Sequence, residues 1–379
     1  MKRFLSGVSF LLVVVSIATS QTYKVTDLGI HPGDDVSAGS ALNDCGQVVG
    51  FSGYSLERGF LWSSGEGMSD LPPLAGNFSD AAGVNDDGAV AGFSSIDNNQ
   101  TNHAVVWIEG KARDLGTLPG GTDSEADAIN GAGKVVGGSN SGGTSTHAVL
   151  WSKGGGIQDL GVLPGGGDYS RAHGINRFGH VVGESSTVGS TIHGFSWSKA
   201  QGMQDLGPLP SGHFSYATGI NNRGQIVGAS DGGSRCPIIA CERAVLWTPT
   251  GIHGLGTLRN SYSSRAYGIN SAGQVVGFSL FRPSLVSHAF VWSQDEGMQD
   301  LNDLIDSDSG WTLEFAFAIN DRGQITGGGK LQGNEHAFLL TPRDQDARAR
   351  QASPWSPQET NKGGRKIVSR DEKCGDSVQ

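Results

Sequence analysis

Beyond an N-terminal apolar stretch, the apolar positions of this chain fall in short runs that recur in a fixed order. One copy reads Glu125-Ala-Asp-Ala-Ile-Asn130, a turn to Gly133, Lys134-Val-Val-Gly-Gly-Ser139, a Gly/Ser/Thr loop, His147-Ala-Val-Leu-Trp151 and Ile157-Gln-Asp-Leu160. Each run has the length of a strand, and the Asn, Gly and Ser clusters between them are turn formers. The pattern predicts a four-stranded antiparallel meander.

The punctuation repeats seven times. Asn-x-x-Gly followed four residues later by a second Gly occurs at Asn43/Gly46/Gly50, Asn85/Gly88/Gly92, Asn130/Gly133/Gly137, Asn176/Gly179/Gly183, Asn221/Gly224/Gly228, Asn270/Gly273/Gly277 and Asn320/Gly323/Gly327. The Asn positions are 42, 45, 46, 45, 49 and 50 residues apart, a period that belongs to propeller blades. Asn can bond its own backbone at the start of a tight turn, and Gly at its end accepts the left-handed conformation. The last unit stops at His336-Ala-Phe-Leu-Leu-Thr-Pro342 without a fourth strand, whereas Tyr23-Lys-Val-Thr-Asp-Leu-Gly29 is a fourth strand without a unit. The expected fold is therefore all-β: a seven-bladed β-propeller over residues 21–342, built of four-stranded antiparallel blades, with the N-terminal strand closing the last blade and hiding its edge.

Trp62, Trp107, Trp151, Trp197, Trp247 and Trp292 end the third strand of six units, with Leu340 in the seventh; they read as filler between packed sheets. Four residues before each turn Asn stand Gly39, Ala81, Ala126, Ala172, Ala217, Ala266 and Ala316, and two before it only Ala or Gly, which marks packing positions. Five before it, the residues vary: Ala38, Asp80, Glu125, Arg171, Tyr216, Arg265 and Phe315. Three before it they vary again: Ser40, Ala82, Asp127, His173, Thr218, Tyr267 and Phe317. No structural requirement for these two sets is visible in the sequence. They start on the same end as the loop between the second and third strands, whose length also varies, so variation gathers on one face.

The motifs His288-Ala-Phe290, His336-Ala-Phe338, His103-Ala, His147-Ala, His193-Gly-Phe195, Gly202-Met-Gln-Asp-Leu-Gly207 and the recurring Gly-Ile-Asn resemble the HAF-repeat family over residues 23–342. Arg58-Gly-Phe60 and Arg243-Ala-Val245 depart from it by lacking the His. The resemblance implies an exported, mostly bacterial repeat scaffold and carries no reaction, cofactor or partner to transfer.

Lys2 and Arg3 precede the apolar run Phe10–Ile17, and Ala18-Thr19-Ser20 offers a small-x-small cleavage site, so residues 1–20 read as a signal peptide and the protein as extracellular or periplasmic. The run is too short for a spanning helix. The formal net charge of −10 over 379 residues, with 60 Gly, describes an acidic β-rich body without the basic face that nucleic acid requires. Residues 343–379 are polar and read as a disordered tail. Of the four cysteines, Cys236 and Cys241 bracket one loop and form a candidate disulfide, whereas Cys45 and Cys374 have no evident partner.

The chemistry-bearing residues suggest binding. Third-strand His103, His147, His193, His288 and His336 diverge from the axis and cannot converge on one metal ion, so a strand-end hydrogen bond is expected. Asp27, Asp70, Asp114, Asp159, Asp205 and Asp300 before Leu read as turn-satisfying side chains. No nucleophile elbow, zinc-protease helix or phosphate-cradling loop occurs. The expectation is a non-catalytic monomeric scaffold, without metal or cofactor, that binds protein or glycan through the face bearing Glu125, Asp127, Arg171, His173, Tyr216, Arg265 and Tyr267. Replacing Arg171 and Arg265 by Ala should then abolish capture and spare the fold. A secreted polysaccharide hydrolase or lyase using Asp80, Glu125 and Asp127 near the axis is the alternative.

Overall fold

The computed structural model describes residues 21–343 apart from 55–56, 98–100, 144, 155, 190 and 233–240. The signal-peptide reading, the tail beyond Arg343 and Cys236 of the candidate disulfide lie outside the described residues. The described chain forms seven four-stranded antiparallel sheets and one short 3-10 turn, Leu301–Leu304. The first strand of each unit is innermost, and neighbouring inner strands touch around a common axis. The chain is a seven-bladed propeller. Tyr23–Gly29 pairs with Asn334–Pro342, Tyr23 opposite Pro342 and Gly29 opposite Ala337, and completes the seventh blade from outside.

Packing between blades explains the small and large positions. Ala81, Ala126, Ala172, Ala217, Ala266 and Ala316 are fully buried. At Gly39, a Cβ would sit 2.3 Å from Thr326 Oγ1 of the neighbouring blade. Trp107 and Trp151 are almost fully buried in clusters shared by adjacent blades, and Leu340 is buried where the seventh tryptophan would stand. A buried aromatic of this size is the largest single contribution each blade makes to its interface.

Polar pins supplement the apolar core. Ser124 Oγ accepts from Ala104 N and donates to Gly116 O, both at 2.9 Å, so it stitches blade three to blade two. Ser37, Ser79, Ser170, Ser215 and Ser264 repeat the device at equivalent positions. Blade seven has Glu314 there, and the Asn302 side chain substitutes by bonding both the amide and the carbonyl of Leu313, at 2.7 and 3.0 Å. Buried hydroxyls satisfied on both sides cost little and fix the spacing of the sheets.

The turn Asn does more than close its own turn. Its Oδ1 accepts the amides two and four residues on, as at Asn130 with Ala132 and Lys134. Its Nδ2 donates to the main-chain carbonyl of the next blade's Asn: Asn43 to Asn85, and so on through Asn130, Asn176, Asn221, Asn270 and Asn320, which donates back to Asn43. These seven bonds, 2.9 to 3.2 Å long, form a closed circle.

The repeated His and Asp prove to be one feature. His103, His147, His193, His288 and His336 place Nδ1 2.6 to 2.9 Å from Asp114, Asp159, Asp205, Asp300 and Asp27 on the adjacent fourth strand. The same carboxylates accept an amide two residues on, such as Gly161 N at 2.7 Å. Blade five lacks both partners, with Arg243 and Gly254 in their places, and in blade one Arg58 turns instead to Asp34. At His288 the bond to Asp300 is the largest influence and raises the imidazole pKa.

Candidate functional site

The second Gly of the motif shapes the centre of the ring. A Cβ at Gly50, Gly92, Gly137, Gly183, Gly228, Gly277 or Gly327 would lie 1.8 to 2.0 Å from the carbonyl oxygen five residues before the turn Asn. Only Gly lets that carbonyl approach. The ladder accordingly shifts register at every inner strand, between Gly39 and Ala41, Ala81 and Gly83, Ala126 and Ala128, and likewise around the ring. The residue skipped is the one three before the Asn. Bulges re-aim side chains and are common beside functional sites.

All seven bulge residues, Ser40, Ala82, Asp127, His173, Thr218, Tyr267 and Phe317, line one central cavity of about 700 Å³. Below it the residues just before each Asn, including Val84 and Ile129, form an aliphatic collar above the circle of asparagines, whose own mouth encloses about 340 Å³. The cavity wall is divided. Asp127, His173 and Glu184 of blades three and four bring charge, as does Arg265 of blade six; Tyr216, Tyr267 and Phe317 of blades five to seven and Phe51 of blade one bring rings; Ser40 and Ala82 of blades one and two are small.

On the charged arc, Arg171 grips Asp127 with two bonds, Nε to Oδ2 at 2.8 Å and Nη2 to Oδ1 at 2.6 Å, and reaches Glu125 Oε2 with Nη1 at 2.7 Å. His173 Nδ1 lies 3.0 Å from the same Asp127 and its Nε2 3.9 Å from Glu184, which also accepts from Tyr169 Oη at 2.6 Å. Burial alone would raise Asp127, but the guanidinium and the His173 contact outweigh it and hold the carboxyl at about 2. Burial would likewise lower His173, yet the two carboxylates lift it to about 9, so it is cationic at neutral pH. Asp80, on the neighbouring blade, behaves oppositely: burial first, then Glu57, Glu125 and Asp127, push it up to about 7.

On the aromatic arc, Tyr267 packs against Phe317 with centroids 5.2 Å apart and against Phe278 at 5.9 Å, and Phe315 stacks on Phe317 at 6.0 Å. Arg265 lies over the Tyr216 ring at 5.4 Å and is itself held by both oxygens of Glu242 at 2.7 to 2.9 Å.

Of the residues singled out in the sequence, Asp127, His173, Tyr216, Arg265 and Tyr267 line the cavity, while Glu125 and Arg171 stand behind it as the partners that fix Asp127. At two of the variable positions side chains are held by ion pairs across blades, so Arg171 serves as a structural partner of Glu125 and Asp127 as well as a surface feature. Glu184 and Phe51 also line the cavity and were not singled out, and Thr218 and Phe317 were noted only as variable positions. Glu184 lies opposite Arg171 on the second strand, a pairing that is readable only once the register is known. Cys241 is disulfide-bonded and 2 % exposed, and Cys45, for which the sequence offered no partner, is disulfide-bonded too. Among the described residues no group of three or more His, Cys, Asp or Glu side chains is arranged to hold a metal ion, and no helix is long and apolar enough to cross a membrane.

No family profile and no curated protein matches the sequence. Solved structures do resemble it in fold. TolB from Acinetobacter baumannii matches with 13 % identity and a TM-score of 0.42, over 64 % of this chain and 59 % of TolB, less than two-thirds of that protein. A gluconolactonase from Xanthomonas campestris matches with 9 % identity and a TM-score of 0.41, over 84 % of this chain and 90 % of the enzyme. A mutant of AofleA from Arthrobotrys oligospora matches with 12 % identity and a TM-score of 0.36, over 86 % of this chain and 88 % of AofleA.

Proposed function

We propose that this protein is an exported propeller scaffold of the HAF-repeat kind that binds carbohydrate, without chemical turnover, in the cavity at its axis. The observation that carries the reading is the ring of seven bulge side chains around about 700 Å³ of space, with aromatic rings and charged groups together in its wall. A concavity of that size suits a small group, whereas a protein partner needs a broad patch. Aromatic faces offer stacking area, and the polar arc offers hydrogen bonds already held in place, which lowers the ordering cost of binding.

The enzymatic alternative is weaker because its carboxylates are engaged. Asp80, pushed up to about 7, could give a proton, but Glu125 and Asp127 are both bound by Arg171, which leaves neither free as the second carboxylate. A glycosidase needs one carboxyl free to give a proton and another free to attack or activate water.

The test is a glycan array probed with the purified protein, followed by calorimetry on any sugar retained, with Tyr267→Ala as control. Capture by the parent and at least tenfold weaker binding by the variant supports the reading. An array with no retained glycan refutes it, and turnover of a retained glycan would restore the hydrolase or lyase. Export is checked separately, by recovery of the protein from the medium or periplasm when it is expressed with residues 1–20.

A further inference from the structure

A separate pocket of about 150 Å³ lies between blades two and three, at the end where the strands turn. Val106, Leu115, Ile129 and Val135 make most of its wall apolar, and Trp151, only 2 % exposed, lies in the same wall. The indole N–H of Trp151 is buried and finds no acceptor among the described residues. Its counterparts do: Trp107 Nε1 donates to Pro72 O at 2.8 Å, and Trp247 Nε1 to Leu206 O at 3.1 Å. An unpaired buried donor costs stability, so one that borders a cavity asks for an occupant. The lining also holds two exposed cations, Arg113 and Lys153, against one carboxylate, Asp87. Burial thus grades from the cations at the mouth to the indole within. Arg113 pairs with Val106 across the strands, at a position where the other six blades carry Ser, Gln, His or Thr. Gly131 follows its turn Asn where every other turn bears a polar or charged side chain, and a Cβ there would meet nothing within 4 Å. The pocket therefore belongs to this gap and is not a by-product of the repeat.

We propose that this pocket binds a benzoate-sized aromatic acid with a hydrogen-bond acceptor opposite its carboxylate, such as 4-hydroxybenzoate. The carboxylate lies at the mouth between Arg113 and Lys153, the ring fills the apolar interior, and the far oxygen accepts from Trp151 Nε1. Space of this order takes up a benzene-sized group. An indole N–H only donates, so the inner atom must be an acceptor. A guanidinium matches a carboxylate with parallel N–H bonds, which favours an acid over a neutral amide. A pyranose, hydroxylated all round, would press most of its polar groups against apolar wall. None of Arg113, Lys153 and Trp151 lines the axial cavity, and the inference does not rest on the carbohydrate reading.

The experiment titrates 4-hydroxybenzoate, benzoate and 4-hydroxybenzamide into the purified protein at pH 7 by calorimetry, and follows the Trp151 indole N–H by NMR after through-bond assignment. The expected result is about tenfold preference for 4-hydroxybenzoate over each of the others, with the indole resonance moving on its addition. Trp151→Phe, which keeps a ring and loses the N–H, should lose the preference over benzoate and keep that over the amide. Arg113→Gln combined with Lys153→Gln should do the reverse. Neither loss of fold nor general charge attraction produces that crossed pattern. Should Trp151→Phe fail to fold, the parent's indole resonance and the double variant decide. Binding of none of the three compounds, equal affinity for the acid and the amide, or an indole resonance unmoved at saturation each overturns the inference.

Discussion

Asn320 donates its side-chain amide to the main-chain carbonyl of Asn43, 277 residues earlier, at 2.9 Å. This bond joins the seventh blade to the first inside the ring, while Tyr23–Gly29 joins the chain ends outside it. The same side chain accepts the amides of Arg322 and Gln324. Asn320→Asp keeps that acceptor and removes the donor, which serves both Asn43 O and Gln324 Oε1. It should cost about 1–3 kcal/mol, with Asn320→Ala costing more because the turn amides lose their partner as well. Urea unfolding of the two variants measures the difference; a negligible loss in Asn320→Asp would mean that the circle contributes nothing beyond its turns.

Removing Arg171 should destabilise the protein by about 3 kcal/mol, since Asp127 and Glu125 would be left facing each other in a confined space. Arg265→Ala should cost less, because Arg265 has one carboxylate partner, Glu242, where Arg171 has two. Arg171→Ala combined with Asp127→Asn should recover part of the loss. Denaturant midpoints for the three variants decide it, and a negligible effect of Arg171→Ala would show the cluster to be decorative.

Asp80→Asn should stabilise the protein, with a dependence on pH whose sign is fixed. The folded-state pKa of about 7 lies above the unfolded value of 3.8, so the native chain holds a proton that the unfolded chain releases. Native stability falls as pH climbs through that window, and the amide removes the loss. The variant and parent should melt alike near pH 4 and diverge up to about pH 8, where the gain approaches ~4 kcal/mol by linkage. Melting curves at pH 4, 6 and 8 provide the check.

Gly183→Ala should destabilise by roughly 2–4 kcal/mol, since the new Cβ would meet Arg171 O at 2.0 Å and the bulge carrying His173 would have to move. Ligand capture should fall in the same variant. A protein that retains both stability and capture would show that the bulge tolerates a side chain.

The blade count, the strand order and the closing strand were legible because one pattern of Asn and Gly is repeated in register, and the missing and orphan strands are complementary. The cavity was legible only as variation: Asp127, His173 and Tyr267 stood out because their neighbours Ala126, Ala172 and Ala266 do not change. What fixes them was hidden, since Arg171 reaches a different blade and Glu184 a different strand, and neither distance is encoded in spacing along the chain. The role of the second Gly was likewise visible as a recurrence without a cause, because the carbonyl it accommodates belongs to the paired strand. The serine pins went unremarked for a simpler reason: Ser is so common in loops that its constancy before each strand drew no notice.

The bulge also separates two kinds of inheritance. A side chain at the skipped position stands opposite no residue on the next strand, so exchanging it disturbs neither a ladder pair nor the asparagine circle. Such positions, one on each blade, can be rewritten without re-registering the strands, although Asp127 and Thr218 also bond the neighbouring blade. Relatives built on this chassis should therefore diverge in what they recognise faster than in how they fold.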